Sequence, residues 1–206
     1  MEVALDAKKR GHEVTIYEKS DHLGGLAVPA SAHGFKDDLK RLVKWYINEV
    51  RIAGIPVVLN TEVTAEMLRK QKPDAAVIAV GSESVMPGIK GINHSKCVSC
   101  VDVLDGKARL GEKIVIVGGG LVGCETAIDY ASQGRDVTIV EAASDVLAAS
   151  GMVDITISMM VKDMLKDNHV KILAGHKIEG VCDEGAVISP TEGGESTVVE
   201  ADNVIM

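Results

Sequence analysis

The stretch that decides the fold is Lys113-Ile114-Val115-Ile116-Val117-Gly118-Gly119-Gly120-Leu121-Val122-Gly123-Cys124-Glu125, answered further on by Val137-Thr138-Ile139-Val140-Glu141. The branched aliphatics of residues 113–117 read as a buried strand of a parallel sheet. A Gly-x-Gly-x-x-Gly run follows at once, then a helix predicted over residues 121–133 and a strand over 137–141. The glycines carry weight because the strand before and the helix after assign each a purpose. Gly118 permits a tight turn, Gly120 lets backbone approach a pyrophosphate, and Gly123 lets helix and strand pack closely. With Gly119, Leu121 and Val122 they present N–H groups at the positive end of a helix, where phosphate oxygens are favoured. Glu141 stands 18 residues after Gly123, at the end of the second strand. A carboxylate there accepts hydrogen bonds from both ribose hydroxyls and repels a 2′-phosphate. No Lys or Arg follows in Ala142-Ala143-Ser144 to neutralise such a phosphate, so NADH is expected to be preferred over NADPH.

Outward from this unit, strands and helices alternate. Toward the amino end, strands are predicted at residues 14–18, 55–59 and 75–80, the last ending at Gly81. A long helix over 35–53 is marked by Phe35, Leu39, Leu42, Val43, Tyr46, Ile47 and Val50 at helical spacing. Gly54 stops it, and a shorter helix is expected at 64–70. Pro87, Gly88 and Gly91 mark a crossover between subdomains. Toward the carboxyl end come a Met-rich helix at 153–167, a strand at 170–173, and a β-meander from His176 with a turn at Gly193-Gly194.

The chain also repeats itself. Shifted by 123 residues, Glu2, Ala4, Asp6, Gly11, Val14, Thr15, Ile16 and Glu18 fall on Glu125, Ala127, Asp129, Gly134, Val137, Thr138, Ile139 and Glu141. Two βαβ units of one kind are therefore expected, and Glu18 takes the place of Glu141 in the first, facing the adenosine ribose of FAD. Leu23-Gly24-Gly25 follows, with glycines that allow a loop to lie over a pyrophosphate. The counterpart of Gly123 would fall immediately before Met1, so the first unit lacks its opening strand and glycine loop. Asp202-Asn203-Val204-Ile205-Met206 begins like Asp74-Ala75-Ala76-Val77-Ile78-Ala79-Val80-Gly81 but stops before a glycine. A piece of a longer protein is the expectation. The lost strand is normally central, so its neighbours would carry unpaired N–H and C=O groups.

Composition agrees with an α/β class: 46% hydrophobic residues, 21 glycines and only 2% aromatics suit tight βα turns and aliphatic strands. A net charge of −8 speaks against a nucleic-acid surface, which needs clustered Lys and Arg. No apolar run reaches the roughly 20 residues of a membrane span, and no signal peptide is visible. A cytoplasmic location without membrane or nucleic-acid partners is expected, and a homo-oligomer is left open.

The order Glu18, Leu23-Gly24-Gly25, Ala79-Val80-Gly81, then Gly118–Gly123 with Glu125 and Glu141 resembles the two-dinucleotide-domain flavoprotein reductases. Asp102-Val103-Leu104 leading through Gly111 to Ile114–Ala127 is most similar to the carboxy-terminal FAD/NAD(P) region of one group. That group is the 2,4-dienoyl-CoA reductase, NADH:flavin oxidoreductase (Old Yellow Enzyme-like) and trimethylamine dehydrogenase family. The resemblance implies two Rossmann-like three-layer domains of the glutathione-reductase kind, the first incomplete: residues 1–90 a partial FAD-binding domain, residues 91–206 an NAD-binding domain with the β-meander and the start of a return to the FAD domain. It also implies an amino-terminal barrel, absent from this sequence, carrying FMN and a 4Fe–4S cluster. NADH would reduce FAD, and electrons would pass through the cluster to FMN, where an enoyl- or dienoyl-type substrate is reduced.

Two rival readings are open. Cys97-x-x-Cys100 invites a thioredoxin-reductase-like disulfide reductase, but there the pair follows the glycine loop, whereas here Cys100 lies 18 residues ahead of Gly118. The plainer reading is two buried small residues. The other rival is a non-catalytic nucleotide-binding module without flavin. Met152, Met159, Met160 and Met164 read as packing residues. The six histidines show no metal-ligand spacing, and no residue is assigned as catalytic acid or base, since the cofactors carry the chemistry in this class.

Overall fold

The computed structural model describes residues 1–149, 151 and 153–206, and the chain falls into two compact units. One comprises residues 1–32 and 36–83, the other residues 33–35 and 84–206.

In the first unit, helix α1 (Glu2–Lys9) leads to strand β1 (Ile16–Tyr17), a single turn α2 (Ala27–Ala30), the long helix α3 (Asp37–Ile52), strand β2 (Val57–Val58) and helix α4 (Ala65–Gln71). Helix α3 opens with Asp37 and Asp38 and carries Arg51 in its last turn, each placed to suit the helix dipole. Gly54, at φ +63°, ends it. Helix α4 is capped by Thr64, whose hydroxyl accepts the Met67 N–H at 3.2 Å. Strands β1 and β2 pair in parallel, Ile16 against Val57, and form a sheet of two strands. The core beneath is small: Leu5, Val50 and Ile55 are buried, flanked by partly buried Val14, Ile16, Leu23, Tyr46 and Val57.

The strand predicted at residues 75–80 is not formed. These residues lie outside any sheet, with Val77, Ile78 and Val80 68%, 78% and 81% exposed. Their aliphatic pattern has strand propensity, but the ladder partner such a strand requires is not among the described residues. Strand 14–18 likewise shortens to two residues, with β2 its one pairing partner among the described residues.

The second unit is built around a five-stranded parallel sheet. Strand β3 (Cys97–Val98) and helix α5 (Cys100–Leu104) precede β4 (Lys113–Val117), α6 (Leu121–Ser132), β5 (Asp136–Glu141), α7 (Ile155–Asp167) and β6 (Lys171–Ala174). An antiparallel meander β7 (His176–Val181), β8 (Gly185–Pro190) and β9 (Thr197–Glu200) follows, and β10 (Asn203–Ile205) ends the chain. Sheet order is β3-β10-β4-β5-β6, beside the separate meander β7-β8-β9. Residues 203–205 therefore complete this unit's own sheet, with Val204 opposite Val115 on one side and Cys97 on the other.

Alternation along the strands makes three layers. Ile114, Ile116, Val137 and Ile139 face a core shared with α6 and α7 through Cys124, Ala127, Ile128, Val161 and Leu165. Val115, Val140 and Val204 face the meander through Val181, Ala186 and Ile188. Each such aliphatic buried contributes roughly 1.5–3 kcal/mol, so β4 and β5, buried on both faces, anchor the sheet. The Met-rich helix departs from expectation. Met164 packs on the helix-side core, but Met159 and Met160 are 62% and 54% exposed, because buried Val161 and Leu165 set the inward face. Met152 lies outside the described residues.

Candidate functional site

Strand β4 delivers the chain into the glycine loop with the Gly118 N–H bonded to the Val140 carbonyl at 2.8 Å. Gly118 has φ +103°, and a Cβ added there would meet nothing within 4 Å. The turn, rather than crowding, requires glycine at this point. Gly123 is the opposite case: a Cβ there would lie 2.0 Å from the Gly118 carbonyl oxygen, so the helix could not pack this close to its own loop. Gly120 caps α6 with extended backbone, no side chain caps the helix, and its first turn holds no acidic residue. The Leu121, Val122 and Gly123 N–H groups, which precede the first intrahelical bond from Cys124 to Gly120, are left facing outward from the positive end of the helix.

Glu141 ends β5 beside this loop. One carboxylate oxygen accepts the Gly119 N–H at 2.6 Å and the other accepts the Ala143 N–H at 2.6 Å. The sequence-predicted Gly118–Gly123 run and Glu141 are thus one assembly. Each carboxylate oxygen retains a lone pair able to accept a further hydroxyl. Sequence reasoning missed the wall on the far side of the loop. Val146 and Leu147 are buried, and the Leu147 N–H donates to the Gly119 carbonyl at 2.7 Å. Leu147 has φ +64°, an uncommon conformation for a branched side chain, and only the apolar pair itself hinted at it. Cys124, fully buried, directs its thiol to the same carbonyl at 3.3 Å. Burial, reinforced by the charges of Glu141, Glu125 and Asp145, pushes the Cys124 thiol up to about 12.

In the first unit, Glu18 accepts both the backbone N–H and the hydroxyl of Ser20, each at 2.9 Å. Burial raises its pKa, but these bonds, with the Lys19 N–H and His22 nearby, outweigh burial and hold the carboxyl below its ordinary value. Leu23 packs on the small core. Gly24 and Gly25 both have positive φ, and at Gly24 a Cβ would also strike Val28 at 2.6 Å. Gly81, at φ +72°, lies beside Leu26, and Lys19 reaches Glu83 at 3.4 Å. Glu18, Leu23–Gly25 and Gly81 are thereby gathered at one end of this unit.

Cys97 and Cys100 are unpaired and partly buried. Cys97 packs on the meander side of the sheet and Cys100 on the helix side. Burial pushes both thiols up, the Thr126 hydroxyl offsetting part of this for Cys100. Thiols on opposite faces with raised pKa values lack the thiolate character of a redox pair. Among the described residues, no group of three or more His, Cys, Asp or Glu is placed to hold a metal ion, and no helix is long and apolar enough to cross a membrane.

Comparison with known proteins agrees with this geometry. The family model for pyridine nucleotide-disulphide oxidoreductases matches residues 1–206. Cinnamate reductase of Clostridium sporogenes is 38% identical over the whole chain, which spans 30% of that protein's length. An NADH oxidase of Thermoanaerobacter brockii is 43% identical over 150 residues, 71% of this chain and 23% of its own. A 2-naphthoyl-CoA reductase structure superposes with a TM-score of 0.86 at 33% identity, covering 99% of this chain and 30% of that one. The chain spans a third or less of each of these relatives, which are reductases and oxidases of the kind the dienoyl-CoA reductase resemblance implies. By motif, fold and family model together, this chain belongs to the pyridine nucleotide-disulphide oxidoreductases.

Proposed function

We propose that the chain is the NADH- and FAD-binding part of a larger flavoprotein oxidoreductase that passes reducing equivalents to a flavin and iron–sulfur region reducing an enoyl- or dienoyl-type substrate. The observation that carries this reading is the Gly119–Glu141 assembly at the uncapped amino end of α6. The second unit fits a dinucleotide: the face over Gly118 is open, outward N–H groups are ready for a pyrophosphate, and Glu141 is fixed where an adenosine ribose would meet it. Residues 91–206 are read as the NAD-binding domain, with Gly118, Gly119, Gly120, Leu121, Val122, Gly123 and Glu141 as its contacts.

Residues 1–90 are read as the partial FAD-binding domain, where Glu18, Leu23, Gly24, Gly25 and Gly81 would face the second dinucleotide. The fit is poorer there. Glu18 is bonded by its own neighbour, through the N–H and hydroxyl of Ser20, whereas Glu141 receives the N–H of the distant Gly119. When both groups are bound, nicotinamide supplies a hydride and flavin accepts it. FMN and a 4Fe–4S cluster belong to the expected amino-terminal barrel, where the enoyl- or dienoyl-type substrate would be reduced.

The test is direct. Purified chain titrated with NADH and followed by nicotinamide fluorescence is expected to saturate, while its own absorbance spectrum shows little or no FAD. Absence of NADH binding would defeat the reading. A reversible Cys97–Cys100 couple in thiol titration would favour the disulfide-reductase alternative instead.

A further inference from the structure

We propose that Cys124 and Leu147 are positioning residues for the cofactor's pyrophosphate, acting through the single peptide group that joins Gly119 to Gly120; this rests on the dinucleotide reading above. The carbonyl of that peptide receives two donors from inside the protein, the Leu147 N–H at 2.7 Å and the Cys124 S–H at 3.3 Å. A trans peptide is planar, and its C=O and N–H point in opposite directions. Holding the carbonyl inward therefore aims the Gly120 N–H outward, to the side where an anion at the helix terminus sits. The preceding N–H cannot serve there, because Gly119 donates to Glu141 at 2.6 Å. The loop divides its donors: Gly119 turns inward to Glu141, and Gly120 turns outward with the first turn of α6.

The backbone donor is held in a costly conformation. Leu147 adopts φ +64° while 7% exposed, and a residue stays in that region only where its surroundings enforce it. The enforcement is visible. Val146 lies on Gly119 so closely that a Cβ there would be 2.8 Å from the Val146 side chain. Asp145 accepts the Val146 N–H at 2.8 Å and, through its other oxygen, the Lys162 ammonium of α7 at 2.6 Å. The segment after β5 is thus tied to a helix and to the loop at once, and its strained residue delivers one N–H to the Gly119 carbonyl. The thiol is a dependable donor for the same reason that it is unreactive, since burial keeps its proton in place well above neutral pH.

The experiment compares two ligands that share an adenosine, one of which adds a pyrophosphate and the ribose beyond it. Dissociation constants of the full chain for ADP-ribose and for adenosine are measured with wild type, Cys124→Ala and Cys124→Ser. Loss of one hydrogen bond at the peptide is expected to weaken ADP-ribose by about fivefold to tenfold, leaving adenosine within about twofold. Ser, which keeps a donor, is expected to restore ADP-ribose to within about twofold of wild type. Amide exchange of the ligand-free protein reads the same device without any ligand: the Leu147 N–H is expected to be protected in wild type and to exchange faster in Cys124→Ala. Equal ADP-ribose affinity in wild type and Cys124→Ala, parallel loss of both ligands, or an unprotected Leu147 amide in wild type would overturn the proposal. Failure of wild type to bind ADP-ribose at all would instead overturn the dinucleotide reading, and the proposal with it.

Discussion

The two halves of the repeat share a local design and differ in what surrounds it. Gly11 and Gly134 end their helices with φ +88° and +89°. Glu18 and Glu141 each accept an N–H from the residue two positions on, Ser20 and Ala143. These features depend on neighbours in sequence, and the repeat preserves them. What lies further away does not match. Glu141 gives its other oxygen to the Gly119 N–H of the loop, whereas Glu18 takes the Ser20 hydroxyl next to it. Val137 and Ile139 are 2% and 0% exposed, whereas their counterparts Val14 and Ile16 are only partly buried. A βαβ pattern fixes turns and helix ends by itself, but burial and the long-range contact of the strand-end carboxylate come from the strand and loop beside it.

Substitutions at equivalent positions probe this contrast. The largest effect is expected at the strand centres: Ile139→Ala should cost about 4 kcal/mol and Ile16→Ala about half as much, read from urea unfolding curves. Equal costs would mean that the first unit buries its strand as fully as the second. Next come the helix ends. Gly11→Ala and Gly134→Ala, both in open space but at positive φ, should each cost about 1 kcal/mol. A disparity of more than about 1 kcal/mol would break the local equivalence of the two units. The smallest effect concerns pH. Glu18 is held below its ordinary value of 4.5, so its contribution is present above that pH and fades as pH falls through the lowered folded value. Glu18→Gln should therefore lower stability slightly near neutrality and flatten the further loss below pH 4.5. An unchanged acid limb would show that the Ser20 bonds contribute nothing.

How far the sequence could be read follows the same division. Strand β4 and helix α6 were legible because aliphatic run, glycine spacing and helix period all agree between Lys113 and Ser132. Residues 75–80 carry an equally plain strand pattern yet form none, since a strand exists only with a partner to share its hydrogen bonds. Strand β3 is not legible in the sequence, because two residues at the edge of the sheet, paired among the described residues with β10 alone, offer no periodicity. The Met159-Met160 pair misled because hydrophobicity alone does not say which face of a helix turns inward. At the site, the glycines and Glu141 announced themselves by spacing. The Val146–Leu147 wall did not, because its role depends on a backbone conformation that Leu rarely adopts.

The dissociation constants of this chain for NADH and for NADPH, determined under identical salt, test the role of Glu141. Glu141 is fixed between Gly119 and Ala143, and residues 142–144 hold no Lys or Arg. NADH should therefore bind at least about tenfold more tightly, the effect of one charge-assisted hydrogen bond made to a ribose hydroxyl or replaced by repulsion from a 2′-phosphate. Binding of NADPH as tight as that of NADH, or tighter, would contradict the account.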